Sequence, residues 1–267
     1  MKRLNPKLIS VCGVHKAGTT QLYRLISSHN LISGSSPKQP KYLYEDDCKN
    51  QEIYFEKCKF DNKKKIYLDA NPDFFFDHTC RDKIIKLFTN NKIIISLRNP
   101  IDRCFSHWSM IRKNLNKKEF ILGIKSKNNL YAKSLYSENI RFFIENFNKK
   151  NLLIIFFEEW SINPIKLKEQ ISDFLNIDNN FNFVFNKSNS AYNSILLRKI
   201  IMNKNFDKIK NFIPNNTKTF IRNYLTYVGI APKLNIEERL ILAKIFQSDV
   251  QKLKKLITIP GDIWNDF

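Results

Sequence analysis

Three short apolar, β-branched runs, at residues 8–11, 93–97 and 152–157, have the length and content of buried parallel strands rather than helices; residues 66–68 form a fourth, shorter run. Between them lie stretches with helical periodicity, at 19–29, 81–88, 101–114 and 137–147. In the first of these, Leu22, Leu25, Ile26 and His29 recur at i, i+3, i+4 and i+7, which makes one apolar stripe. Strands alternating with helices predict right-handed βαβ units and an α/β domain, with a central parallel sheet sandwiched in three layers. After residue 157 the alternation stops. Residues 164–175 read as a helix, 181–185 as an aromatic extended segment, and 194–202 and 236–257 as helices again. The asparagine-rich stretches 176–182 and 213–219 read as connecting loops. One domain over 1–267 is expected, with a core at roughly 5–175 and a helical C-terminal extension at roughly 190–267.

Composition narrows the class. At 43% hydrophobic and 13% aromatic, the chain of 267 residues buries enough apolar surface to exclude wholesale disorder. Lys+Arg 45 against Asp+Glu 25 gives a net charge of +20, which favours phosphates, acidic or sulfated glycans, nucleic acid or anionic lipid as partners. Lysine outnumbers arginine and accompanies abundant asparagine and isoleucine, as AT-rich coding produces, so part of that charge is ordinary solvated surface. The five cysteines, Cys12, Cys48, Cys58, Cys80 and Cys104, show neither metal-ligand spacing nor an even disulfide count. No run approaches a membrane span. The N-terminus is basic and then apolar, but its apolar part is short, lacks a cleavage site and runs straight into a glycine-bearing loop. A soluble, cytoplasmic protein without a metal is the expectation.

Two segments carry chemistry. Residues 11–20, Val-Cys-Gly-Val-His-Lys-Ala-Gly-Thr-Thr, follow the first strand and open the first helix. There, backbone N–H groups and the positive helix end face an anion. The segment nearly matches the Walker pattern, but Lys16 stands two residues before Gly18 rather than directly after it. That displacement argues against an ATP-hydrolysing loop. The second segment begins with Arg98 at the end of an interior strand, where open α/β sheets place ligands. Pro100 suits the first turn of the next helix, and Ser106 lies two turns below Arg98 on the same face. Arginine with a serine hydroxyl makes a clamp for a second phosphate.

Together these segments resemble the cofactor site of the sulfotransferases that use 3′-phosphoadenosine 5′-phosphosulfate (PAPS). Lys16, Gly18, Thr19 and Thr20 match that family's K-x-G-T-T; Arg98, Asn99, Pro100, Arg103 and Ser106 match its R-[DN]-P-x-x-R-x-x-S. Residues 68–72 are similar to its E-x-[ST]-P stretch. Residues 156–160, with Pro164, Phe174 and Leu175, are similar to its strand–acid–helix element. The segment from Phe183 to Tyr192 resembles the approach to the adenine contacts in heparan-type enzymes, and Trp264 suits the family's C-terminal ending. The resemblance implies a P-loop-like fold and PAPS as metal-independent sulfuryl donor. It assigns Lys16, Ala17, Gly18, Thr19, Thr20, Arg98, Ser106 and Tyr192 to donor binding. It implies an acceptor that is a glycan or another hydroxylated small molecule, without specific nucleic acid.

The acceptor side departs from the pattern. Carbohydrate members carry a glutamate base in K-E-P-x-[FY]-F; here the stretch from residue 37 reads Pro-Lys-Gln-Pro-Lys-Tyr-Leu. Gln39 orients a hydroxyl but does not accept its proton at neutral pH. Asp69, His107, His15 and the trio Glu45, Asp46 and Asp47 are the other candidate bases, and Asp69 is the choice because it matches an acidic position at its strand end. Lys16 is the expected catalytic cation beside the leaving oxygen. Gln39 and Lys41 are the expected acceptor contacts. Two other readings stand beside this one, a P-loop kinase and a basic nucleic-acid-binding protein, together with a PAPS binder lacking efficient transfer.

Overall fold

The computed structural model describes residues 7–45, 48–88, 91–111, 120–121, 123–124, 128–183, 234–261 and 263–267. Five strands, β1 (Lys7–Gly13), β2 (Ile32–Gly34), β3 (Ile66–Ala70), β4 (Lys92–Leu97) and β5 (Leu152–Phe156), form one sheet in the order β2-β3-β1-β4-β5. Every pairing is parallel. The chain leaves β1 to one side, returns to pair β3 with β1, then crosses over to place β4 on the other side. The carboxyl end of β1 is therefore the point where the winding reverses, the position at which open sheets bind ligands.

The helices are α1 (Thr19–Ser27), α2 (Gln51–Lys57), α3 (His78–Leu87), α4 (Pro100–Ile111), α5 (Ser137–Asn146), α6 (Phe157–Ile162), α7 (Pro164–Leu175) and α8 (Ile236–Lys254), with short helical turns between some of them. They cover both faces of the sheet. On one face Ile9, Val11, Leu68 and Ile94 pack with Leu22, Leu25 and Ile26 of α1 and with Leu167, Ile171 and Leu175 of α7. On the other, Leu8, Cys12, Ile93 and Ile95 pack with Tyr54, Ile84, Trp108, Ile140, Phe143 and Phe246. Three layers and two cores result, as the alternation predicts. All five cysteines are buried, and none is in a disulfide. Among the described residues no helix is long and apolar enough to cross a membrane.

Local chemistry sets the boundaries. Pro164 opens α7, where its missing N–H costs nothing, while the Asn163 side chain accepts from Lys166 N–H; left-handed Asn176 (φ 55°) ends the helix. Asn235 and Glu238 cap α8 reciprocally. Phe157 belongs to α6 rather than to the strand expected over 152–157. The helix expected over 236–257 stops at Lys254. The helix expected over 194–202, and Tyr192, lie outside the described residues.

Helix α8 and the C-terminal segment lock the β4–α4 junction. Arg239 donates to Asp102 at 2.8 Å and to Asp266 at 2.5 Å, and Asn99 Nδ2 donates to Asp266 at 2.7 Å. Glu158 accepts from Asn99 N–H at 2.8 Å and from Trp264 Nε1 at 3.2 Å, with burial pushing its carboxyl above the ordinary range. Tyr136 Oη donates to the Arg98 carbonyl at 2.9 Å. The backbone that carries Arg98 is thus held from three sides.

Candidate active site

The loop between β1 and α1 is folded so that its carbonyls turn inward. Val14 O accepts from Ala17 N–H at 3.2 Å, Lys16 O from Arg98 Nη1 at 2.8 Å, and Ala17 O from Ser96 Oγ at 2.8 Å. Val14 N–H donates to Ser96 O, and Trp160 Nε1 donates to Ser96 Oγ, so β4 and α6 clamp the loop together. Lys16 (φ 72°) and Gly18 (φ 75°) both adopt the left-handed region. For lysine that conformation is costly, by about 1–3 kcal/mol, and it survives because the surroundings fix it. At Gly18 a Cβ would run into the Trp160 ring, so only glycine fits. Gly18 then supplies no capping side chain to α1, and no acidic residue stands in the first turn. The positive end of α1 is left for an anion from outside.

Three cations border this end. Lys16 Nζ reaches 3.7 Å from Met110 Sδ on α4. Arg98, half-buried, lays its guanidinium over the Phe157 ring at 4.7 Å while bonding the loop. Lys38 donates to Thr20 Oγ1 at 3.1 Å, and its pKa falls to about 8 through burial and the neighbouring Arg24. Lys38 belongs to the stretch that sequence reading set on the acceptor side, and the structure brings it to the start of α1. Thr19 is buried, Thr20 exposed, and Ser106 sits partly exposed on α4. Arg103 matches the second motif yet points inward: it has no exposed surface and donates to Ser134 Oγ at 2.9 Å and Leu130 O at 2.8 Å. It positions α4.

Beyond β3 the chain forms the wall of a cleft of about 430 Å³ lined by Lys41, Tyr44, Asp73, Phe76, Asp77 and Lys133. Asn71 ties its two sides: Nδ2 donates to Pro40 O at 3.1 Å and Oδ1 accepts from Asp73 N–H at 3.1 Å. Gln39 is exposed beside it, and Lys41 lines the cleft. Asp73 Oδ1 meets His15 Nε2 at 2.8 Å and Lys133 Nζ at 2.7 Å. Those two partners, His15 first, hold the Asp73 carboxyl well below its usual range. His15 also stacks on His107 with centroids 6.0 Å apart and planes 15° apart. Burial, then the neighbouring Arg103, lower the His107 pKa to about 3, so that ring is neutral at neutral pH.

Asp69 does not belong to this cleft. Its carboxyl has no exposed surface and accepts from Tyr54 Oη at 2.5 Å. Burial raises its pKa to about 7 against the opposing hydrogen bonds of Tyr54 and Ser10. The strand-end position that suggested a base is one register step inside the sheet, paired with Ser10. A base must touch its acceptor, and in this structure the Asp69 side chain reaches no surface. What the sequence passed over is Asp73, four residues on, and Lys133, which only the fold brings beside His15. No group of acidic, histidine or cysteine side chains able to hold a metal occurs among the described residues.

Comparison with known proteins follows the same lines. The family described as "Sulfotransferase domain" matches residues 6–229. Heparan sulfate glucosamine 3-O-sulfotransferase 5 of Mus musculus and of Homo sapiens are each 23% identical over 218 residues, covering 74% of this chain and 62% of theirs. The chain thus spans somewhat less than two thirds of the length of these relatives. The crystal structure of a sulfotransferase from Alicyclobacillus acidocaldarius superposes with a TM-score of 0.67 at 18% identity, covering 99% of this chain and all of that one. At that identity the likeness is one of fold.

Proposed function

The chain belongs to the sulfotransferase domain family, and we propose on that premise that it transfers the sulfuryl group of PAPS to a hydroxyl or amine of a glycan. One observation carries the reading. A loop with its carbonyls turned inward meets a helix start free of acids, with Lys16, Lys38 and Arg98 around it. That cradle fits a polyanionic donor with two separated phosphate groups. The donor brings the sulfuryl group together with a phosphate leaving oxygen. Ala17, Gly18, Thr19 and Thr20 bind its 5′ side through backbone N–H and hydroxyl groups. Arg98 and Ser106 take the 3′-phosphate, and Tyr192 is assigned to the adenine side. Lys16 stabilises the negative charge that grows on the leaving oxygen.

The acceptor enters the cleft between Gln39–Lys41 and Asp73. A glycan suits it, because carboxylates and lysines there bond hydroxyls while Tyr44 and Phe76 offer ring faces. The two relatives named for heparan sulfate glucosamine support that class. A kinase reading is disfavoured by the position of Lys16 before Gly18. A cytoplasmic setting is part of the proposal, supported by five buried cysteines that form no disulfide.

Calorimetry tests the donor assignment. The protein should bind adenosine 3′,5′-bisphosphate more tightly than adenosine 5′-monophosphate. Arg98→Ala should lose ~1.5–3 kcal/mol of that affinity, the value of a charge-assisted contact, together with the discrimination. Equal affinity of the unmodified protein for both nucleotides overturns the reading.

A further inference from the structure

We propose that His15, held by Asp73, is the general base that takes the acceptor's proton through its Nδ1 atom. The inference rests on the sulfuryl-transfer reading and supplies the base missing at Gln39. His15 directly precedes the loop lysine, so its position relative to the donor cradle is fixed by the same inward-turned backbone. Its side chain keeps 24% of its surface exposed, unlike Asp69 with none. Nε2 lies 2.8 Å from Asp73 Oδ1, a residue of the cleft wall. Because Asp73 stays ionised, it accepts a hydrogen bond, and Nε2 carries the hydrogen. Nδ1 is then the nitrogen with a lone pair, and it bonds no other described residue.

The groups around the ring favour this state. Lys133 shares Asp73 Oδ1 and fixes the carboxylate from the cleft side at 2.7 Å. His107, stacked on the other ring face, is neutral, so it adds no like charge when His15 becomes an imidazolium. Arg103 stands behind His107 at 3.4 Å, and Lys16 lies on the donor side. Asp73 and Lys133 are positioning residues, with the carboxylate balancing the charge His15 acquires. In the step, the acceptor O–H bond breaks and its proton passes to Nδ1 while the acceptor oxygen bonds sulfur. The sulfur–oxygen bond to the donor phosphate breaks, and its electron pair remains on the phosphate oxygen beside Lys16. The imidazolium returns its proton to solvent after product leaves.

The test has two arms. In nucleotide-free protein, ¹⁵N imidazole resonances should report His15 protonated at Nε2, and Asp73→Asn should shift that tautomer balance; a His15 protonated at Nδ1 overturns the proposal. In the second arm, labelled PAPS is followed in single turnover, with a heparosan oligosaccharide or water as acceptor. His15→Asn should keep its affinity for adenosine 3′,5′-bisphosphate within about twofold and lose about 10²–10⁴-fold in rate. Added imidazole should restore part of the rate. An unchanged rate overturns the base assignment alone, whereas bound PAPS that the unmodified protein never cleaves overturns the transfer reading and the base with it. If the unmodified protein binds no adenosine 3′,5′-bisphosphate, the donor reading falls and the base with it.

Discussion

Asp69 and Asp73 stand four residues apart at the exit of β3, and the fold gives them opposite surroundings. Asp69 is sealed in the sheet layer against Tyr54, and burial lifts its pKa to about 7. Asp73 sits on the rim of the cleft, and His15 and Lys133 pull its carboxyl down. The interior group meets a dipole and no cation; the rim group meets two nitrogens that carry or share positive charge. The same side chain therefore weakens the fold at neutral pH in one place and strengthens it in the other. A carboxylate's use follows from what faces it, and only the rim position faces both a histidine and an open cleft.

The largest effect that sharpens this contrast is expected from Asp69→Asn. The native pKa lies above the unfolded value of 3.8, so folding binds a proton that the unfolded chain gives up. The associated stability is complete below pH 4 and is lost as pH rises through about 7. Asparagine still accepts from Tyr54 and has nothing to ionise. The variant should gain up to ~4 kcal/mol over the unmodified protein at pH 8, the ceiling set by a shift of about three pKa units. It should gain nothing below pH 4. Urea melts from pH 4 to 9 measure it; parallel curves for the two proteins would show that Asp69 is not sealed.

A smaller effect is expected from Tyr54→Phe. Removing the hydroxyl strips Asp69 Oδ2 of its donor and costs ~1–2 kcal/mol, as for other buried hydrogen bonds. Because that bond holds the Asp69 pKa down, the pH-dependent loss should extend further into the alkaline range. A destabilisation that is flat with pH would separate Tyr54 from the titration.

This contrast also marks what the sequence could reveal. Strands β1, β4 and β5 were legible because a parallel interior strand needs an unbroken apolar run. β2, three residues paired with β3 alone, is too short for any period to appear. The proposed donor cradle was legible for a local reason: Lys16 to Thr20 are contiguous, and Arg98 directly follows its strand. The burial of Asp69 was not legible because all five residues of β3 are buried, so no alternation announces which side chains reach solvent. His15 was visible as a candidate, but its partners were not. Asp73 and Lys133 lie 58 and 118 positions away, a distance only the fold closes.

The smallest effect tests the rim alone. Lys133 and Asp73 are 24% and 42% exposed, so their ion pair, although 2.7 Å long, is screened by water. Lys133→Met should cost ~0.5 kcal/mol, and Asp73→Asn ~1 kcal/mol, since the latter also loses the His15 contact. Because the native Asp73 pKa is lowered, its contribution is present above the ordinary carboxylate range and fades as pH falls through and below it. A double-mutant cycle at pH 7 should return a coupling of ~0.5 kcal/mol between the two side chains. In ~1 M salt, where the screening length shrinks to about 3 Å, most of that coupling should disappear. The gain from Asp69→Asn should survive the same salt, because ions do not enter the layer that seals it. Salt therefore separates the two carboxylates where a single melt at low ionic strength does not. A coupling that persists in salt would mean that the rim is buried like the interior, leaving His15 no route to an acceptor.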